Sequence, residues 1–328
     1  MKKALKYLFP LVIGLALLRW VFKDVDLVAT ISDFKSANYF LVFLALVVAL
    51  LAHVSRAYRW NLMLEPMGYK PSLLNTSVAV MIGYLTNLIF PRAGELARSA
   101  SLQKSENVPF DKSFGAVIAE RVIDVLVLGV LVLVNILLEF SRLKSLVIEM
   151  FGGKLNSIQN LVYLGIGFLV FVGIAYFVFL KYKDKILNIN LVKKIFEVGK
   201  GLWSGFVSVL KIKKSGLFFL HTLFIWSMYY LGTYLLCQAI SIGQELSFLA
   251  VLTILVMGSI GMAIPTQGGL GSYHFFVGKI VVLYGLSQQD GVSLATFLHT
   301  LQGVLFVLLF GLAAFIISFF TEKKTNIS

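Results

Sequence analysis

Apolar residues along this chain run in blocks too long and too unbroken to be single faces of soluble helices. Such blocks fall at about residues 5–22, 38–60, 73–90, 113–140, 160–181, 215–241, 247–264, 269–286 and 291–320. A helix needs about 20 mostly apolar residues to cross the hydrocarbon core, and only helices or closed barrels satisfy their own backbone there. The pattern predicts an all-α polytopic membrane protein. Composition agrees: 59% of residues are hydrophobic and 14% charged, against about 45–50% and about 25% in soluble domains. No room is left for a separate soluble domain, so 1–328 reads as one integral membrane domain. The N-terminus has the basic start and apolar run of a signal peptide but lacks a small-residue cleavage site, and a retained first helix is expected.

Charge sets the expected topology. The net charge is +13, yet its basic residues cluster in loops, where they report sidedness before they report nucleic acid. The stretch 181–214 holds nine lysines against Asp184 and Glu197, and is assigned to the cytoplasm. Basic termini (Lys2, Lys3 and Lys6; Lys323 and Lys324) place both chain ends there too, in a bacterial-type plasma membrane. Arg56, Arg59 and Lys70 on one side of 73–90, and Arg92, Arg98, Lys104 and Lys112 on the other, all belong inside. Segment 73–90 must then enter and return. In the second half, 242–290 has Lys279 as its only basic residue, so 247–264 and 269–286 form a hairpin open to the outside.

The two turning points are alike: Phe90-Pro91-Arg92-Ala93-Gly94 and Ile264-Pro265-Thr266-Gln267-Gly268. Proline ends a helix and glycine permits the turn back. About six full spans around two re-entrant broken-helix hairpins result, arranged as an inverted-topology repeat. Its first half is 1–180, its second 215–328, and 181–214 is the connector. That connector spaces Ile195, Phe196, Val198, Leu202, Phe206, Val209 and Leu210 among lysines as a surface-lying amphipathic helix would; a plain basic tether is the other reading. A simpler topology, in which 73–90, 247–264 and 269–286 each span, also stands at this point.

Ionisable residues inside a membrane cost about 2.5–3.5 kcal/mol at a helix centre, so each marks a functional candidate. Glu120 and Asp124 share a helix face, and Arg121 can reach Asp124. Arg92, Glu95 and Arg98 follow at i, i+3 and i+6; the two arginines would hold a phosphate while Glu95 orients them. His53, Arg56 and Arg59 line the end of the second span, with Arg56 a binding candidate and interfacial snorkelling the competing reading. In the second half, Pro265, Gln267, Gly268, Gly269 and Gly271 give an amide-rich tip before a new helix. His274 follows, either as a proton carrier or as a hydrogen-bonded structural residue. His221 and His299 suggest nothing sharper. Cys237 is the only cysteine, which excludes an intrachain disulfide. No Walker A, GxSxG or metal-ligand spacing occurs, so neither an ATP-driven pump nor a metallohydrolase is supported, and no metal, cofactor or catalytic residue is expected.

The stretches RAYRW, NLIFPRAGELARS, AERVIDVLVL and IPTQGGLGSYH together resemble the flippase-like membrane family named for the transmembrane region of lysylphosphatidylglycerol synthase. The resemblance covers nearly the whole chain. In that family an acidic residue usually follows the second motif; here His274 takes its place, which puts a carboxylate role there in doubt. The resemblance implies movement of lipids between leaflets: aminoacylated phosphatidylglycerol in full-length synthases, and polyprenyl-phosphate-linked or other lipids in shorter relatives. Full-length synthases add a soluble aminoacyltransferase domain; this chain ends at Ser328 and is expected not to charge lipids itself. The expected function is a lipid translocase. A membrane enzyme using Glu120 and Asp124 on lipid-linked sugars, or a non-catalytic partner of a glycosyltransferase or lipid-synthesis enzyme, are the alternatives.

Overall fold

The computed structural model describes residues 15–23, 25–142, 212 and 214–321, and all regular structure among them is helical. The whole of the expected span at 160–181 and most of the amphipathic connector lie outside the described residues. After a helical stretch at 15–21, the helices are α1 (Leu27–Lys35), α2 (Tyr39–Leu64), α3 (Leu73–Ile89), α4 (Gly94–Glu106) and α5 (Phe110–Leu138). The second half gives α6 (Ser215–Ala239), α7 (Phe248–Ala263), α8 (Ser272–Ile280), α9 (Gln288–Leu298), a π-helical turn at His299–Leu305 and α10 (Phe306–Thr321).

Capping residues set several starts. Asn38, Ser72, Ser247 and Ser287 each accept backbone N–H groups of the first turn of α2, α3, α7 and α9. Three helical stretches, Tyr39–Met67, Phe110–Leu138 and Gln288–Phe320, are long and apolar enough to cross a membrane. Only 22% of the most apolar window of Phe110–Leu138 is buried within the protein, so most of that apolar surface faces outward, as lipid contact requires.

α2 and α6 pack along one another and run antiparallel. At one end Asn38 N donates to Ala239 O at 2.7 Å. At the other, Lys214 Nζ bonds both Glu65 carboxylate oxygens at 3.1 and 3.0 Å, an interaction that raises its pKa. Ala45, Ala52 and Gly232 sit in the interior, where small side chains let helix backbones approach.

α3 and α4 form a hairpin. Its open end is fastened at Glu106, which accepts from Ser72 N at 3.1 Å and Asn75 Nδ2 at 2.6 Å. Asn61 of α2 joins the same end through Thr76 and Pro71. At the tip, α3 stops before Pro91, Arg92 turns the chain at φ 61°, and Gly94 N donates to Asn87 Oδ1 at 2.7 Å. α7 and α8 pair likewise across Pro265, where Gly268, Gly269 and Gly271 take φ of 55°, 77° and 78°. Glycine alone adopts three such turns without steric cost. The expected limb at 269–286 is shorter than its apolar run, since α8 gives way to a 3-10 turn at Val281–Tyr284.

The hairpins come from opposite ends of the molecule. Trp60 Nε1 donates to Ser113 O near the start of α5, on the Glu65 side, whereas Asn135 Nδ2 donates to Thr253 Oγ1 of α7 near the other end of α5. Those two points are about 33 Å apart at about 1.5 Å per residue. The tips meet between them. Arg92 Nη2 approaches Ala263 O at 3.5 Å, and Gln267 Nε2 donates to Ile89 O at 3.3 Å. Each carbonyl lies two residues before its proline, and each loses its helical partner because the helix breaks there.

A Cβ on Gly94 would collide with the Gly83 carbonyl oxygen and with Asn87, whereas one on Gly115 would meet open space. Gly94→Ala is therefore expected to destabilise the protein by about 1–3 kcal/mol through overpacking, and Gly115→Ala by no more than about 0.5 kcal/mol. Unfolding midpoints of the purified variants in detergent check the contrast.

Candidate functional site

Four helices bring their polar residues to one place. α2 carries Arg56 and Arg59 one turn apart, α5 carries Glu120 and Asp124 on a matching face, α4 adds Arg98 and α6 adds Thr222. Arg56 bridges both carboxylates, Nη1 to Glu120 Oε1 at 2.7 Å and Nη2 to Asp124 Oδ2 at 2.9 Å. Arg59 Nη2 lies 2.8 Å from Asp124 Oδ1 and 3.4 Å from Glu120 Oε1, while its Nη1 donates to Thr222 Oγ1 at 3.1 Å. Arg98 Nη2 donates to Glu120 Oε2 at 2.9 Å, and its guanidinium stacks 4.5 Å from the Trp60 ring. The side chains of Arg59 and Glu120 are fully buried, and Arg56 and Arg98 nearly so.

Ion pairs so thoroughly desolvated hold only when each charge meets several partners, because removing an ion from water costs several kcal/mol. Glu120 meets three guanidinium groups, and Asp124 meets two closely and Arg121 at 3.9 Å. The snorkelling reading of Arg56 and Arg59 is thereby corrected: both point inward, since the two carboxylates one helix away offer more than the interface does.

Arg121 and Glu95 form the open rim of this cluster. Arg121 Nη2 lies 3.1 Å from Glu95 Oε1, and the two side chains are 37% and 21% exposed, far more than the others. With these included, the cluster holds Arg56, Arg59, Arg98 and Arg121 against Glu95, Glu120 and Asp124, an excess of one positive charge. Beside the rim lies a narrow recess between α3, α4 and α5, little larger than a water molecule in its enclosed part. Tyr84, Asn87, Glu95, Arg98 and Arg121 supply its polar lining. Glu95 Oε2 and Arg121 Nε are buried atoms with no hydrogen-bond partner, as are the Nε atoms of Arg56, Arg59 and Arg98.

The structure brings together Arg56, Glu95, Arg98, Glu120, Arg121 and Asp124 of the residues singled out in the sequence. It does not bring Arg92 to Arg98. α4 begins at Gly94, so Arg92 stands in the left-handed turn before the helix and off the face that Glu95 and Arg98 share. Gln267 lies at the meeting of the tips with Arg92. His274 sits apart, against His299. His53 packs among Tyr84, Phe306 and Tyr229 instead of joining the ion pairs. Trp60 and Thr222 were not legible as partners, because each joins the site across helices distant in sequence, and Asn87 was not, because it meets Gly94 only once the hairpin has closed.

Removing one charge from the closed part should differ sharply from removing one at the rim. Glu120→Gln leaves three guanidinium groups short of a counter-charge and is expected to cost about 3–5 kcal/mol. Glu95→Gln, half open to the recess, is expected to cost about 1 kcal/mol or less. Thermal unfolding of the purified proteins in detergent distinguishes the two.

Comparison with known proteins places the chain among membrane proteins. A UPF0104 membrane protein of Methanocaldococcus jannaschii is 33% identical over 86 residues, which is 25% of this chain and 26% of that protein. The glycosyltransferase AglD of Haloferax volcanii is 28% identical over 119 residues, 36% of this chain and 19% of that protein. The matched part thus spans about a quarter and about a fifth of these relatives' lengths. No solved structure matches. The family model described as the lysylphosphatidylglycerol synthase TM region covers residues 7–311, and the chain belongs to that family of membrane proteins.

Proposed function

We propose that this protein is a lipid translocase, not an enzyme, and that it moves an anionic headgroup of the phospholipid or polyprenyl-phosphate type between leaflets of the plasma membrane. The observation that carries the reading is the net positive charge of the cluster as a whole together with its more open rim, where Arg121, held by Glu95, faces a recess beside a helix break. A guanidinium binds phosphate through two parallel hydrogen bonds and stays charged in a low-dielectric site. Glu95 holds Arg121 when no lipid is bound. An entering phosphate displaces that carboxylate, so one anion replaces another and the guanidinium is never left bare.

In this reading the two hairpins are re-entrant, one from each side, and form an inverted-topology repeat with about six full spans and cytoplasmic termini. Their breaks meeting at Arg92, Ile89, Ala263 and Gln267 support it, as does the antiparallel pairing of α2 with α6. Arg121 then lies about 12 Å along α5 from Ser113, below the cytoplasmic surface. No nucleotide-binding motif is present in the sequence, so transport is facilitated or ion-coupled.

A second reading, an accessory subunit or membrane enzyme in lipid-linked sugar or aminoacyl-lipid synthesis, draws on the similarity to a protein named as a glycosyltransferase. Against direct acid–base chemistry, Glu120 and Asp124 are both occupied by arginines. Product formation from donor and lipid in detergent would favour it.

Reconstitution into liposomes with labelled anionic lipids tests the translocase. Arg121→Ala is expected to lower leaflet exchange at least tenfold, with Arg121→Lys intermediate. Exchange by Arg121→Ala equal to wild type, or no exchange of any anionic lipid by wild type, would refute the reading.

A further inference from the structure

The second break carries its own polar device, distinct from the arginine cluster. His299 opens the π-helical turn, and its Nε2 lies 2.7 Å from Gly268 O in the break. A carbonyl oxygen only accepts, so that nitrogen bears the hydrogen and the neutral ring keeps Nδ1 as its lone-pair nitrogen. His274 on α8 lies 4.9 Å away between ring centroids, inclined at 63°. Both residues are 3% exposed, and His274 Nδ1 is buried with no hydrogen-bond partner.

Burying a second imidazole with an unsatisfied nitrogen is costly, and an apolar side chain would fill the same space without that cost. The backbone is shaped around the rings. A Cβ on Gly303 would press on His299 Cδ2, and one on Gly269 would run into Met262 while lying 3.6 Å from His299 Nε2. π-helical turns are rare and recur at functional positions.

We propose that His274 and His299 together bind one proton, and that its binding tightens the fastening of the second break to the last helix. Two imidazolium charges at this separation repel, so the pair takes up a single proton. The charged pair makes Nε2–H···O=C a charge-assisted bond, about twice as strong as the neutral one. Loss of the proton loosens the Gly268 carbonyl, and with it the tip where Gln267 meets Ile89.

The pair is enclosed mainly by aromatic and apolar groups. Tyr273 packs 5.2 Å from His299, and Phe22 packs 5.7 Å from His274. α7 and the break hold no ionisable residue. On the neighbouring elements, Arg19 and Lys23 on either side of Phe22 and Lys279 are exposed, Asp290 is bonded by Ser287, Cys237 is a buried thiol, His53 lies against Phe306, Arg56 and Arg59 of α2 are held by Glu120 and Asp124, and Arg92 reaches the break at Ala263 O. Among the described residues no carboxylate lies within salt-bridge distance of either ring.

The proposed coupling to lipid movement rests on the translocase reading; proton binding itself does not. Full-length protein with ring-labelled histidine in nanodiscs, titrated by NMR from pH 4 to 9, tests the pair directly. Wild type is expected to show the two ring signals moving together, with His274→Gln shifting the titration of His299. His299→Gln, which keeps a donor for Gly268, should shift that of His274 in turn. Rings that stay silent across this range, or titrate without regard to each other, would overturn the proposal. In liposomes, exchange by wild type should change at least threefold with pH, and exchange by His274→Gln should be flat. A retained pH profile in that variant would also overturn the proposed coupling. Linked titration without any lipid exchange would leave the proton site standing and remove the translocase.

Discussion

Glu120 sits in an interface that water scarcely reaches, and it is held there by guanidinium groups from two other helices. No charged group survives such a place alone. α2 must therefore turn Arg56 and Arg59 inward, and α4 must return along α5 for Arg98 to arrive. Returning is what requires α3 to stop at Pro91. The hairpin, the break and the recess beside it are thus consequences of satisfying one set of buried charges in a chain that otherwise offers only apolar surface. Trp60 completes the arrangement by stacking on Arg98 while donating to the start of α5.

Much of this was legible in the sequence because the membrane imposes simple rules. Apolar blocks gave the helices, and proline with glycine gave both breaks. The four-residue spacing of Glu120 and Asp124 gave the face around which the site forms. What was not legible depended on contacts across the chain. Whether Arg56 and Arg59 seek the interface or the interior is decided by carboxylates more than sixty residues away. The i, i+3, i+6 spacing of Arg92, Glu95 and Arg98 misled because periodicity assumes a continuous helix, and Arg92 lies in the turn before it. His299 gave no local signal; its significance comes from His274 and Gly268, which the fold brings to it.

The closed and open parts of the arginine cluster divide the work. Arg56, Arg59 and Arg98 are closed off from water and bonded to the carboxylates through their terminal nitrogens; Arg121 and Glu95 are more exposed, and in the proposed function they are the pair that opens to the headgroup. A site built only of saturated pairs would be inert, and one built only of open charges would not stay in a membrane. Beside it, the two breaks tie themselves together through side chains that cap each other's orphaned carbonyls. Side-chain hydrogen bonds of this kind are individually modest, about 0.5–1.5 kcal/mol.

In the proposed function the open rim holds an anionic headgroup. The most direct measurement is native mass spectrometry of the lipid that leaves the membrane with the purified protein, beside the Arg121→Ala variant. An anionic phospholipid or polyprenyl phosphate is expected to be retained by wild type and lost from the variant. Retention of zwitterionic lipid alone, or of the same anionic lipid by both proteins, would contradict it.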